Sequence, residues 1–192
     1  MANPKYTIID YKETWPQEFS QIARIIRQAL GELALRIDHI GSTSVPGLPA
    51  KDVIDIQITV TALNQDIIDA MKTIGYSLSE GNISDHVPPG QNEDSQHWEK
   101  LYFNPPAGQR RTHVHVRLPG RANQRYPLLF RDYLCTHPAT AEAYARLKVM
   151  LSEHLADPFM YPEVKDPAVD LIYLAAEEWA LQVNWQPSPC DA

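Results

Sequence analysis

The stretch from Val53 to Val60 (VIDIQITV) constrains the fold more than any other, because it alternates strictly and is rich in β-branched residues. As a strand it turns Ile54, Ile56 and Ile58 to one face and Asp55, Gln57 and Thr59 to the other. An acid in the middle of such a strand is costly unless it is paired or holds a cation. The strand therefore requires a core on its isoleucine side and a partner for Asp55 on the other. Leu35 to Ile40 reads as a second strand just before it, and the turn-rich loop Gly41 to Pro49 joins the two.

Around this pair the periodicity is mostly helical. Trp15, Phe19, Ile22, Ile26, Leu30 and Leu33 share one face of a helix, with Thr14 and Gln17 spaced as a capping box and Gly31 at its end. Thr61 is placed to cap a second helix bearing Leu63, Ile67, Met71 and Ile74, and Gly75 to Leu78 can start a strand. Residues 79–96 are rich in glycine, proline, asparagine and aspartate, which predicts a long loop or lid over a cleft. Trp98–Phe103 and Thr112–Leu118 form a hairpin-like strand pair. Three helices follow, each opening on a proline near its first turn: Pro127–Leu134, Pro138–Leu155 and Pro167–Val183. The pattern predicts an α/β fold of the α+β type, a mixed β-sheet flanked by helices with a helical C-terminal region. Residues 1–184 form one domain and 185–192 a loose C-terminal tail.

Two constellations carry chemistry. In the loop, Gly41, Ser42, Thr43 and Ser44 let backbone amides and small hydroxyls approach a phosphate closely. The spacing fits neither a P-loop nor a nucleophile elbow, and a plain Gly/Pro-rich connection is the competing reading. On the later strand, His113 and His115 alternate with Val114 and Val116, so both imidazoles and Arg117 project from one face. They are candidate metal ligands or general bases, against the alternative of hydrogen-bonded or half-exposed histidines. Arg110, Arg111, Arg117, Arg121 and Arg125 make the one basic concentration. Arg121 and Arg125 read as a solvated edge, and Arg131 with Asp132 as a structural ion pair.

The run from His39 to Ile56 (HIGSTSVPGLPAKDVIDI) resembles the signature of the GrpB family, a branch of the nucleotidyltransferase superfamily with the polymerase-β-like fold. The likeness extends to His113-Val-His115-Val, to Leu129–Leu134 followed by His137-Pro, to Tyr144–Lys148 and to Tyr161–Lys165. It implies a nucleotidyltransferase-like sheet with an active-site-like cleft at Gly41 and Ser42, holding a nucleotide or phosphorylated small molecule. It also raises Lys51, Arg111, Lys148 and Lys165 as phosphate-binding candidates. In that superfamily a Gly-Ser loop holds triphosphate while an Asp-x-acid strand holds magnesium, and here the second acid position is Gln57. Neutral Gln57 makes a poor magnesium ligand, so Asp55, His113 and His115 are expected to share one divalent metal (Mg, Mn or Zn) and to carry catalysis. The alternative is a catalytically inactive ligand-binding module of the same fold. A His-x-His hydrolase barrel or cupin is disfavoured by the short chain and the helical content.

Composition sets the outer limits. A formal charge of −7 argues against broad nucleic-acid binding, which depends on neutralising phosphates with Lys and Arg. No apolar run approaches the ~20 residues of a membrane span, and Met1–Asp10 lacks the apolar core of a secretory signal, so a cytoplasmic protein is expected. Cys135 and Cys190 form no disulfide framework or zinc cluster.

Overall fold

The computed structural model describes residues 7–192; the part of the leader reading that concerns residues 1–6 lies outside them. Helix α1 (Trp15–Leu30) buries Trp15, Phe19, Ala23, Ile26 and Leu30 on one stripe. Thr14 does not cap it: its hydroxyl meets Glu18 Oε1 at 2.6 Å. The two strands expected around the Gly41 loop are β1 (Ala34–Ile40) and β2 (Ile54–Val60), and they pair antiparallel. Helix α2 (Gln65–Thr73) starts later than Thr61, because Asn64 accepts the backbone N–H of Ile67 as its cap. Strands β3 (Ser77–Leu78), β4 (Leu101–Asn104) and β5 (Thr112–Arg117) complete a five-stranded sheet in the order β1-β2-β5-β4-β3. Only β2 and β5 run parallel, so the sheet is mixed.

That parallel pairing sets Asp55 opposite His113 and Gln57 opposite His115. The isoleucines of β2 join the α1 stripe, Val114 and Val116 in the main core. The other face of β2 is also covered, since Gln57 and Thr59 are both buried.

Helices α3 (Ala122–Thr136), α4 (Pro138–His154) and α5 (Tyr161–Val183) build a second core with Val45 and Leu48 of the Gly41–Pro49 loop. Two of them begin earlier than their prolines suggest, so Pro127 and Pro167 lie inside helices. Each proline forfeits one helical hydrogen bond. In α3 the extra turn is held from outside: Asn123 Nδ2 donates to Asp85 Oδ2 (3.1 Å) and Glu99 O (2.9 Å), and Gln57 Nε2 donates to Gln124 O (3.0 Å). In α5 the added turn buries Tyr161. No helix among the described residues is long and apolar enough to cross a membrane.

The C-terminal segment is docked, not loose. Asp191 Oδ2 accepts from the His39 amide and from Arg131 Nη1, both at 2.8 Å, and the Ala192 amide donates to Ile37 O. These contacts lie along β1, the edge strand, whose open hydrogen-bonding groups would otherwise invite another chain. Arg131 also pairs with Asp132 at 2.8 Å, the ion pair the sequence predicts. Asp191→Ala should cost about 1–3 kcal/mol in denaturant unfolding, because it strips a carboxylate from a mostly buried guanidinium, and should expose the His39 amide to faster hydrogen exchange.

Candidate functional site

A cleft of about 350 Å³ opens where the Gly41 loop, β2, β5 and helices α3, α4 and α5 meet. Glycine is required at its mouth. Gly41 has φ +70, and a Cβ there would strike Asp55 Oδ2 and stand 2.9 Å from the Asp55 Cβ and Cγ. The loop can therefore pass over the Asp55 carboxylate only without a side chain. Ser42 and Thr43 line the cleft too. Thr43 Oγ1 is turned to His39 Nε2 (3.0 Å), while Ser44 Oγ donates to Gly41 O (2.6 Å) and shapes the turn from outside the cleft lining.

Lysines from three elements converge on this loop. Lys148 of α4 is 2% exposed and donates to Ser42 Oγ (3.0 Å) and Pro49 O (2.5 Å). The sequence places it on a polar helix face, and the structure instead buries it, because the cleft supplies oxygen acceptors for its ammonium. Burial first, and the neighbouring Lys165 and Lys51 second, push Lys148 down to about 7. The same causes, with burial and Lys165 leading, bring Lys51 to about 8. Lys51 stands 4.0 Å over the Tyr161 ring and Lys165 pairs with Asp166 at 2.9 Å. Arg111 is exposed outside the cleft lining, near enough to Lys51 to repel it.

The other arginines do not form a basic patch, since carboxylates absorb most of them. Arg110 holds Glu18 and Asp52 at 2.5 Å, and Arg125 holds Glu177 at 2.7 Å. Arg117 is buried and grips Asp85 with a two-pronged fork, Nε to Oδ2 at 2.8 Å and Nη2 to Oδ1 at 2.9 Å. Burial works against the Asp85 charge, yet Arg117 and Lys100 hold its carboxyl far below the usual carboxylate range. Asp85 thereby pins residues 79–96 to the sheet. None of those residues lines the main cleft, so the lid expected over it is instead an anchored loop beside it.

The two histidines of β5 are fixed in opposite roles. His113 Nδ1 lies 2.8 Å from Asp55 Oδ1, and a carboxylate only accepts, so Nδ1 carries the proton and Nε2 is free to accept one. His115 Nδ1 lies 3.2 Å from Arg117 Nη2, and a guanidinium only donates, so this Nδ1 accepts and Nε2–H is a donor. Burial, then Arg117 and Lys100, keep His115 neutral far below the ordinary histidine range. His115 is thus neither general base nor ready metal ligand.

Asp55, His113 and His115, the expected metal ligands, all line the cleft. Among the described residues no group of three or more His, Cys, Asp or Glu side chains is arranged to hold an ion. Gln57, at the second acid position, has its Oε1 filled by Arg117 (2.7 Å) and its Nε2 by Gln124 O. A guanidinium beside a single cleft carboxylate is a poor setting for a metal pair. Sequence reasoning also missed Tyr126, Tyr144 and Tyr161 as residues lining the cleft. Aromatic residues at helical spacing give no sign that one edge faces a cavity.

The clash at Gly41 predicts a separation between two glycines. Gly41→Ala and Gly47→Ala both force alanine into positive φ (+70 and +76), but only the former meets a neighbour. Gly41→Ala should lose about 1–3 kcal/mol more in thermal unfolding than Gly47→Ala.

Comparison with known proteins agrees with this architecture. The chain is 34% identical to a dephospho-CoA kinase of Mycobacterium tuberculosis, over 97% of this chain and 50% of that protein. It is 37% identical to UPF0157 protein PA4798 of Pseudomonas aeruginosa over 81% of this chain and 61% of that one. The chain thus spans about half the length of the dephospho-CoA kinases it matches. The crystal structure of the conserved protein GrpB from Enterococcus faecalis superposes with a TM-score of 0.70 at 29% identity, covering 90% of this chain and 99% of that one. Cid1 in complex with its short product ApU overlaps less, with a TM-score of 0.48 at 9% identity, too little to carry an argument. With the family model described as GrpB protein matching residues 5–174, this chain belongs to the GrpB family.

Proposed function

We propose that the chain binds the phosphate groups of a nucleotide or another phosphorylated small molecule at the Gly41–Ser42 loop, and transfers a phosphate-bearing group to an acceptor. The observation that carries this reading is the convergence of Lys51, Lys148 and Lys165 on one cleft, where Lys165 lowers the proton affinity of Lys51, and Lys165 and Lys51 lower that of Lys148. Like charges held together in a partly dry cleft are unfavourable alone. A polyanion relieves that repulsion and takes up the loop hydroxyls as donors. In this reading His113 Nε2 accepts the proton of an acceptor hydroxyl or amine, and Asp55 orients the ring and balances the imidazolium that forms. His115 Nε2–H and the lysines would donate to the developing charge on the phosphoryl oxygens.

The occupied Gln57 favours a second reading, a binding module without turnover. The two separate on His113. Release of inorganic pyrophosphate from a nucleoside triphosphate mixture that His113→Ala abolishes supports transfer; binding with no release in the parent supports the module.

The titration of the lysines gives a sign. Lys148 and Lys51 are most highly charged below pH 7 and lose charge as pH rises through about 7 and 8 respectively. Sulfate, whose own charge is constant over this range, should therefore bind best near pH 6 and weaken roughly tenfold or more by pH 9 in calorimetry. Lys148→Met should weaken sulfate comparably at pH 6. Because the fold depresses Lys148 from its ordinary value of 10.5, protonation opposes folding, and stability of the free protein should rise from pH 7 upward. Lys148→Met should remove that component of the rise. Sulfate affinity that ignores both pH and the substitution would refute the lysine site.

A further inference from the structure

A second lobe of about 200 Å³ adjoins the first, the two sharing Tyr126, Pro127, Lys165 and Val169 in their linings. Its chemistry is different. The polar groups of the first lobe are mostly ammonium and hydroxyl donors set among apolar side chains, whereas the second lobe holds open acceptors. Asp170 of α5 is 8% exposed, and among the described residues its carboxylate is held by His86 Nε2 alone, at 3.0 and 3.2 Å. A carboxylate offers about four acceptor positions, so one imidazole leaves most of them open. His86 belongs to the anchored loop, and its side chain is 53% exposed, so the open side of this pair is accessible.

Asn123 lines the same lobe and is 1% exposed. Both of its amide hydrogens are used, on Asp85 and on Glu99 O, which fixes the amide orientation. Its Oδ1 is left as a buried acceptor without a partner among the described residues. A buried unsatisfied acceptor is unfavourable, and a bound donor would remove that cost. Of the cations lining this lobe, Arg117 is spent on Asp85, Gln57 and His115, and Lys165, which the two lobes share, pairs with Asp166 on this side. Trp98 adds an aromatic wall, its indole N–H donating to Asn92 O.

We infer that this second lobe is a recognition site for a protonated amine carried by the acceptor molecule, with Asp170 as counter-ion and Asn123 Oδ1 as a further acceptor. The term acceptor rests on the phosphate reading of the first lobe; the amine site itself does not.

The test is an NMR titration of the full chain at fixed pH with ethanolamine, with ethylene glycol as its neutral match, and separately with sulfate. Ethanolamine should saturably shift the Trp98 indole N–H and the amides around His86 and Asn123, and ethylene glycol should bind at least fivefold more weakly. Asp170→Asn should weaken ethanolamine at least fivefold while leaving sulfate affinity unchanged. Equal binding of glycol and ethanolamine by the parent, a comparison that needs no variant, would overturn the amine assignment. So would sulfate binding in the first lobe with no ethanolamine response in the second. Ethanolamine binding without sulfate binding would support the amine site and remove the phosphate reading instead.

Discussion

The structure depends on the Arg117 guanidinium. From β5 it forks onto Asp85 of the 79–96 loop, donates to Gln57 of β2, and donates to His115 two residues away on its own strand. Gln57 in turn holds the first turn of α3, and Lys100 meets the same Asp85 at 2.6 Å. One buried cation thus ties the sheet, the long loop and the helical half together. Buried charges are tolerated only when paired and hydrogen-bonded, and here the pairing is nearly complete. Loss of either partner would leave the other charge stranded, which makes the network a device for holding one arrangement.

The same cation divides the cleft. By donating to His115 it turns that ring into a donor, while Asp55 turns His113, two residues away, into an acceptor. The polar face of one strand thereby presents opposite proton roles within a few ångströms. On one side Lys51, Lys148 and Lys165 line the cleft beside the Gly41 loop, the set proposed above to meet an anion. On the other lies the lobe around Asp170, rich in unmatched acceptors. A cleft with a cationic end, an acid–base pair and an acceptor-rich end has the layout needed to bring two unlike molecules together.

Much of this was legible in sequence wherever a local rule was sufficient. The alternation of Val53–Val60 placed β2, and the proline at 138 placed the start of α4. The His-x-His pattern put both imidazoles on one face of β5. What local rules could not supply was the partner. Gln57 read as a missing carboxylate because nothing nearby in sequence announces Arg117 as its hydrogen-bond donor. Lys148 sat in a helix whose apolar stripe looked sufficient, and its burial depends on Pro49 O and Ser42 from a loop about a hundred residues earlier. Asp85 lay in a polar stretch that reads as solvated, yet it is the anchor of that loop. The tail looked loose because Asp191 finds its partners only on the edge strand and α3.

The account rests on the opposite proton roles of two histidines on one strand, and nitrogen-15 NMR of the imidazoles reads those roles directly. The expected spectrum shows His113 with its proton on Nδ1 and His115 with its proton on Nε2. His115 should stay neutral as the pH is lowered through the range in which an ordinary histidine titrates. A His115 that carries its proton on Nδ1, or that titrates like a solvent-exposed imidazole, would contradict the account.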